Sequence, residues 1–367
     1  EIRPRDWSSD VCSSDLHQHG ADALVEVAPG PHERLRQAEL HPQVGGQVVA
    51  EPRAPPEALQ RHAQARRRGR AELRLRRIGN RPGGTLPEDA PIVRAVLAIG
   101  ADALCEVVSS GCITTGRAGE ALAPMGELYG LGVRVFTDDG SCVMSAGLMR
   151  RALEYSLGLP GSVVAQHAED DTMCAGGSMH EGAVSSRLGI PGRPGEAEAI
   201  IVARDIRLAA LTGAHVHFLH LSTAASVDLV RAAKRDGVRV TCEVAPHHFT
   251  LTDEALSTPI PYDTNTKMNP PLRELADRDA MIQGIVDGTV DVIATDHAPH
   301  HYDEKNVEFD RAPFGIVGLE TAVPLTLDRL VHTGLIPLSK MIQLLSVNPA
   351  RVLRIADRKS TRLNSSH

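Results

Sequence analysis

The chain has 367 residues, 42% of them hydrophobic, which is enough for one large barrel or two smaller domains with a sizeable core. A formal net charge of -7 excludes a general nucleic-acid binder, because neutralising phosphates needs a basic face. Six cysteines without a C-x-x-C pair read as reduced thiols; with no long apolar run and no basic-then-apolar leader, the expected location is the cytoplasm and no membrane partner is expected.

In chain order, the N-terminal third lacks the material for a core. Between Trp7 and Tyr129 there is no Phe, Trp or Tyr, while Ala, Arg, Pro and Gly dominate. A domain of that length would need large side chains to offset its conformational entropy. Residues 17–103 are therefore expected to be disordered or the out-of-frame translation of a GC-rich gene. The ends, EIRPRDWSSDVCSSDL at 1–16 and RKSTRLNSSH at 358–367, look like translated sequencing adapters and are left out of fold reasoning.

From 104 the character changes, and 104–357 is expected to form the catalytic domain. A β-rich run at 132–136 ends in Thr137-Asp138-Asp139-Gly140, and residues 148–155 follow with apolar positions at helical spacing. The unit repeats. The run 162–165 ends in Gln166-His167-Ala168-Glu169-Asp170 before an amphipathic stretch over 196–211. The run 216–220 ends in Leu221-Ser222-Thr223, where Ser222 is the expected N-cap of a helix reaching Asp236, with Gly237 closing it. Residues 238–244 end in Ala245-Pro246-His247-His248; then a helix over 275–286 precedes 290–295, which ends in Asp296-His297-Ala298-Pro299-His300. Strands alternating with helices imply an α/β fold with parallel strands, and polar groups at the C-terminal strand ends share one rim of a β/α barrel, where such enzymes keep their chemistry.

On that rim, Asp139, His167, His220 and Asp296 form a nitrogen and oxygen donor set suited to zinc or a similar divalent ion at a hydrolytic centre. His215 and His217 share a strand face that His220 does not, so they are expected to point to the helix layer as satisfied core residues while His220 points into the barrel. His180, His301 and His332 are expected to be solvated.

The rim segments, together with Lys267-Met268-Asn269-Pro270-Pro271-Leu272-Arg273 and Phe314-Gly315-Ile316-Val317-Gly318-Leu319-Glu320, resemble dihydroorotase in the amidohydrolase superfamily, of the bacterial type with a metal-bridging Asp. The resemblance runs from about Leu104 to Ala356 and implies a metal-dependent (β/α)8 TIM barrel. It implies reversible cyclisation of N-carbamoyl-L-aspartate to L-dihydroorotate in pyrimidine (UMP) biosynthesis, two zinc ions per site, and aspartate transcarbamoylase as a partner. Carried over by position, Asp139 resembles the bridging ligand, His167 and His220 those of the second zinc, and Asp296 a ligand of the first zinc and the catalytic acid/base. Asn269, His300, Phe314 and Gly315 match residues lining the substrate.

One motif departs from the family. Its His-x-His followed by Arg, at the end of the first barrel strand, falls by spacing near Gly46, where nothing suitable stands. His17-Gln18-His19 spells the motif but lies about 120 residues before Asp139, has no Arg after it and is expected to be a coincidence. The N-terminal barrel strands are therefore expected to be missing or scrambled, the chain to stop short of the family's small β domain, at most one zinc to bind, and the chain as written to be inactive. The alternatives are a hydantoinase-like or allantoinase-like cyclic amidohydrolase, whose bridging Lys is absent at 137–139, and a non-catalytic scaffold subunit of aspartate transcarbamoylase.

Overall fold

Runs of β-branched residues that end at polar loops pair side by side here, as parallel strands buried on both faces should. The computed structural model describes residues 90–101, 107–257 and 259–354, all within one compact unit. The expectations for 1–16 and 358–367, for most of 17–103, and for His17 and His19 lie outside the described residues.

Among the described residues, five strands make one parallel sheet: β1 (Val135–Phe136), β2 (Val163–Gln166), β5 (Val216–Phe218), β6 (Val240–Val244) and β7 (Val292–Ile293), adjacent in that order. The principal helices are α1 (Ala90–Gly100), α2 (Ala146–Ser156), α3 (Ala183–Leu188), α4 (Glu196–Thr212), α5 (Ala224–Arg235) and α6 (Leu275–Asp287). None of the described helices is long and apolar enough to cross a membrane. The five strands are the five expected ones, each followed by its helix as a β/α barrel requires.

Alternation along the strands separates two environments. Val164, Val216, Phe218, Val240, Cys242 and Val244 pack with Val202, Val227, Val230, Met281 and Ile285 of the helices in one core. The intervening residues face the barrel axis. This corrects the expectation for His215 and His217: their period was right but their phase was inverted, because Val216 and Phe218 take the helix side. Both histidines are satisfied inside the barrel, His215 Nε2 and His217 Nδ1 each 2.8 Å from Thr241 Oγ1, and His217 Nε2 3.0 Å from Glu243 Oε2. His220 escapes the alternation because the chain turns there at φ 30°.

Three further differences are local. A two-stranded ribbon, β3 (Met179–His180) with β4 (Gly192–Arg193), stands between β2 and α4 and brackets α3. It buries His180, expected to be solvated, with Nδ1 3.1 Å from Arg273 Nη1. The N-cap of α5 is Thr223, one residue beyond the expected Ser222; its hydroxyl accepts from Ser226 N, while Ser222 is engaged by Glu198 of α4 through backbone and hydroxyl. Finally, α1 lies in the stretch expected to lack a core, yet its Val93 is fully buried in the main core and Leu97 packs against it.

Candidate metal centre

The rim residues come from strand ends whose backbones turn sharply. After β1, two adjacent acids divide the work. Asp138 is buried and accepts from the Ile113 and Thr114 backbone N–H groups and the Thr114 hydroxyl, which makes it a structural fastener. Asp139 turns the other way. Its Oδ1 lies 3.1 Å from His220 Nε2 and 3.5 Å from His167 Nδ1, and those two ring nitrogens are 3.1 Å apart. Among the described residues this is the group whose ligand atoms converge closely enough, within 4.8 Å, to hold a metal ion. The imidazoles meet edge to face with centroids 4.8 Å apart.

Asp296 follows β7 with φ 46°, a left-handed turn uncommon for a residue with a side chain. Its Oδ2 is buried with no hydrogen-bond partner. Burial pushes its carboxyl up to about 6, with Asp139 and Glu243 adding to the rise and His220 and His167 opposing it. Enclosure alone would raise Asp139 too, but its hydrogen bonds with His167 and His220 outweigh that and hold it well below the usual carboxylate range. Burial lowers His220, yet Asp139, Asp296 and Glu243 together lift it to about 10. A pocket that binds a proton this firmly is one whose carboxylates a divalent cation would neutralise, so the donor set fits a metal.

Behind His167 lies a polar layer that contains Asn269, expected to line the substrate, together with Glu169 and Arg193, which the sequence reading assigned no role. Asn269 Nδ2 lies 3.2 Å from His167 Nε2 and 3.1 Å from Glu169 Oε2; Arg193 Nη1 donates to Glu169 Oε2 at 2.7 Å and to Asn269 Oδ1 at 2.9 Å. Burial works against Glu169, but His167 and Arg193 hold its carboxyl at about 2. Glu169 had a signal, since it sits two residues beyond His167 in an extended segment; Arg193, on the unexpected ribbon, had none.

The expected substrate residues gather on one side. Phe314 is covered by two cations, the Arg193 guanidinium 4.5 Å and Lys267 Nζ 4.6 Å from its ring centre. Gly315 has φ 149°, and an added Cβ would stand 2.3 Å from Ala298 O. His300 Nε2 donates to Phe314 O at 2.9 Å, and Nδ1 lies 3.3 Å from Glu304 Oε2. His300 also lines a cavity of about 500 Å3 with Tyr262, Asn265 and Lys305, which none of the four rim residues enters. His301 caps the helix Tyr302–Lys305 at the surface, and His332 is exposed, both as expected.

Residues 89–226 match a protein-family model described as "Dihydro-orotase-like", a match that starts before 104 and takes in α1. The dihydroorotase of Pelotomaculum thermopropionicum is 53% identical over 268 residues, covering 73% of this chain and 62% of that one. That of Geobacter sp. strain M21 is 54% identical over 252 residues, covering 69% and 58%. The chain thus spans about three fifths of the length of these relatives. Among solved structures, dihydropyrimidinase from Brevibacillus agri superposes with a TM-score of 0.61 at 20% identity, covering 76% of this chain and 65% of that one. The L-hydantoinase of Arthrobacter aurescens gives 0.58 at 20% identity, covering 68% and 57%. These structures share the fold, a TIM barrel, and the sequence relatives decide within it. Over its matched residues the chain belongs to the dihydroorotase family.

Proposed function

We propose that this chain is the greater part of a cytoplasmic dihydroorotase that reversibly closes N-carbamoyl-L-aspartate to L-dihydroorotate. The observation that carries the reading is the convergence of Asp139 Oδ1, His167 Nδ1 and His220 Nε2 beside the unpartnered Asp296 Oδ2. Zinc is the metal such donors suit, held by Asp139, His167 and His220. Bound there, it would supply Lewis acidity to the ring amide and to water.

The chain's own residues account for the rest. In hydrolysis Asp296 accepts a proton from the attacking water as its oxygen bonds to the amide carbon, then delivers it to the nitrogen as the C–N bond breaks. In cyclisation the ureido nitrogen attacks the carboxyl carbon, and Asp296 carries the nitrogen's proton to the departing oxygen, which leaves as water. A carboxyl held near 6 can do both at neutral pH. Asn269 Nδ2 and the Nε2–H of His300 would meet the substrate carboxylate, His300 exchanging the Phe314 carbonyl for it. Arg193 and Lys267, stacked on Phe314, make that side electropositive.

The intact enzyme containing this segment should cyclise N-carbamoyl-aspartate and act little on unsubstituted hydantoin, which lacks the carboxylate. Comparable rates on both would replace this reading with a hydantoinase. Association with an aspartate transcarbamoylase belongs to the same reading and is checked by co-elution of the two purified proteins.

A further inference from the structure

We propose that the cavity lined by His300 and Lys305 is an antechamber that receives the open-chain substrate as a dianion, and that Lys305, Lys267 and Arg193 form a row of cations leading from it to the metal centre. The inference rests on the functional reading above and adds a second site for the same molecule. N-carbamoyl-L-aspartate carries two carboxylates and dihydroorotate one, so a positive path distinguishes them by charge before any chemistry takes place.

The cavity, about 500 Å3, has the size of a small-molecule site. Exposed Tyr302, Asn306 and Val307 line it on the solvent side, whereas Lys305 is buried. Lys305 Nζ donates to Thr264 O at 3.0 Å and to Pro313 O at 2.8 Å, which leaves one of its three hydrogens for the cavity. Lys267, 2% exposed, donates to the carbonyls of Phe309 and Asp310 at 2.8 and 3.0 Å. Both ammonium groups are thus bonded to neutral carbonyls, and among the described residues neither has a carboxylate in ion-pair contact. Burying such a charge is costly. Burial, with Lys267 adding to it and Asp263 opposing, brings Lys305 down to about 8. Burial lowers Lys267 as well, with Asp310 opposing and Arg193 adding to the fall. Each cation of the row therefore feels the next. Phe314 joins the last two, with Lys267 Nζ 4.6 Å and the Arg193 guanidinium 4.5 Å from its ring centre. Arg193 in turn donates to Asn269 Oδ1 at 2.9 Å, beside His167. His300 belongs to both ends, lining the cavity and reaching Phe314 O through Nε2 at 2.9 Å. A carboxylate that enters the cavity supplies the anion that Lys305 lacks.

Calorimetric titration of the metal-free chain with N-carbamoyl-L-aspartate tests this, with N-carbamoyl-β-alanine, which has the same ureido group and one carboxylate, as the control. The dianion should bind at least about 10-fold more tightly, and the difference should shrink at high salt. Lys305→Gln keeps a donor for one carbonyl but removes the charge, and should weaken dianion binding by about 10-fold. Val307→Trp fills the mouth of the cavity, alters none of the lysine hydrogen bonds and should also abolish the binding; it decides the matter if Lys305→Gln fails to fold. Zinc affinity should be the same in parent and Val307→Trp, because the cavity excludes the metal ligands. Equal affinity for the two anions, or dianion binding unchanged by Val307→Trp, overturns the proposal. Cyclisation by the intact enzyme without dianion binding in the cavity overturns this inference alone, whereas cavity binding without cyclisation overturns the functional reading and the antechamber with it.

Discussion

His220 and Asp296 show how single residues build this rim. Both have side chains yet take positive φ, 30° and 46°, so the strands deliver their polar groups inward at a conformational cost repaid by the surrounding packing. Gly315 is the opposite case, a position where a side chain is excluded outright. Its φ is 149°, and Ala298 O lies 2.3 Å from the point a Cβ would occupy, which leaves no room for a methyl group. Gly315→Ala should therefore destabilise the fold by about 1–3 kcal/mol, read as a lower midpoint in urea unfolding. Because Gly315 N also donates to Lys267 O at 2.9 Å, the substitution should loosen the loop that presents Phe314 and the carbonyl bonded to His300.

At the scale of elements, the α4–α5 junction shows how one buried acid redistributes capping. Glu198 of α4 takes the backbone N–H groups and hydroxyls of both Ser222 and Thr223, and Thr223 still caps α5 by accepting from Ser226 N. Thr223→Ala should cost about 1 kcal/mol from the cap, and more if Glu198 is left short of a donor, measured by thermal unfolding. The sequence pointed to Ser222 at this cap because only local signals bear on it there, and Glu198 lies 24 residues away. The same limit explains the other differences. Strand existence, order and helix spans were legible because hydrophobic period and glycine stops are local: Gly213, Gly237 and Gly288 all take positive φ where helices end. Which face of β5 met the helices was not legible, since period carries no phase until neighbouring strands are placed. The rim acids and histidines were readable from strand ends; Arg193 was not, because its partners Glu169 and Asn269 are 24 and 76 residues distant.

Over the whole molecule, buried histidines set the response to acid. Burial, aided by Arg273, holds His180 down at about 4; burial holds His248 at about 4, and His247 lies well below its ordinary value. These groups stay neutral in the fold while the unfolded chain protonates them as pH falls through 6.5, so stability drops between about 6.5 and 4, by about 1.4 kcal/mol per pH unit for each histidine fully titrating. His215, held at about 4 by burial, adds to the loss, whereas Asp253 and Asp296, which burial raises to about 6, and His220, lifted to about 10, oppose it, since there the fold holds protons that the unfolded chain releases. The urea midpoint should accordingly fall from pH 7.5 to pH 5.5; a midpoint that rises would show these histidines to be charged in the fold. Metal stoichiometry tests the largest question the chain poses. Asp139, His167 and His220 offer one convergent three-atom set among the described residues. A second ion would have Asp139 and Asp296 from those residues, and two carboxylates without an imidazole make a weak site for zinc. His17 and His19 are the alternative donors that the sequence offers. Equilibrium dialysis of the purified 367-residue chain should therefore find about one zinc per chain and no turnover of dihydroorotate. Two tightly held ions with turnover would make His17 and His19 ligands of the first zinc and the N-terminal third a working part of the enzyme.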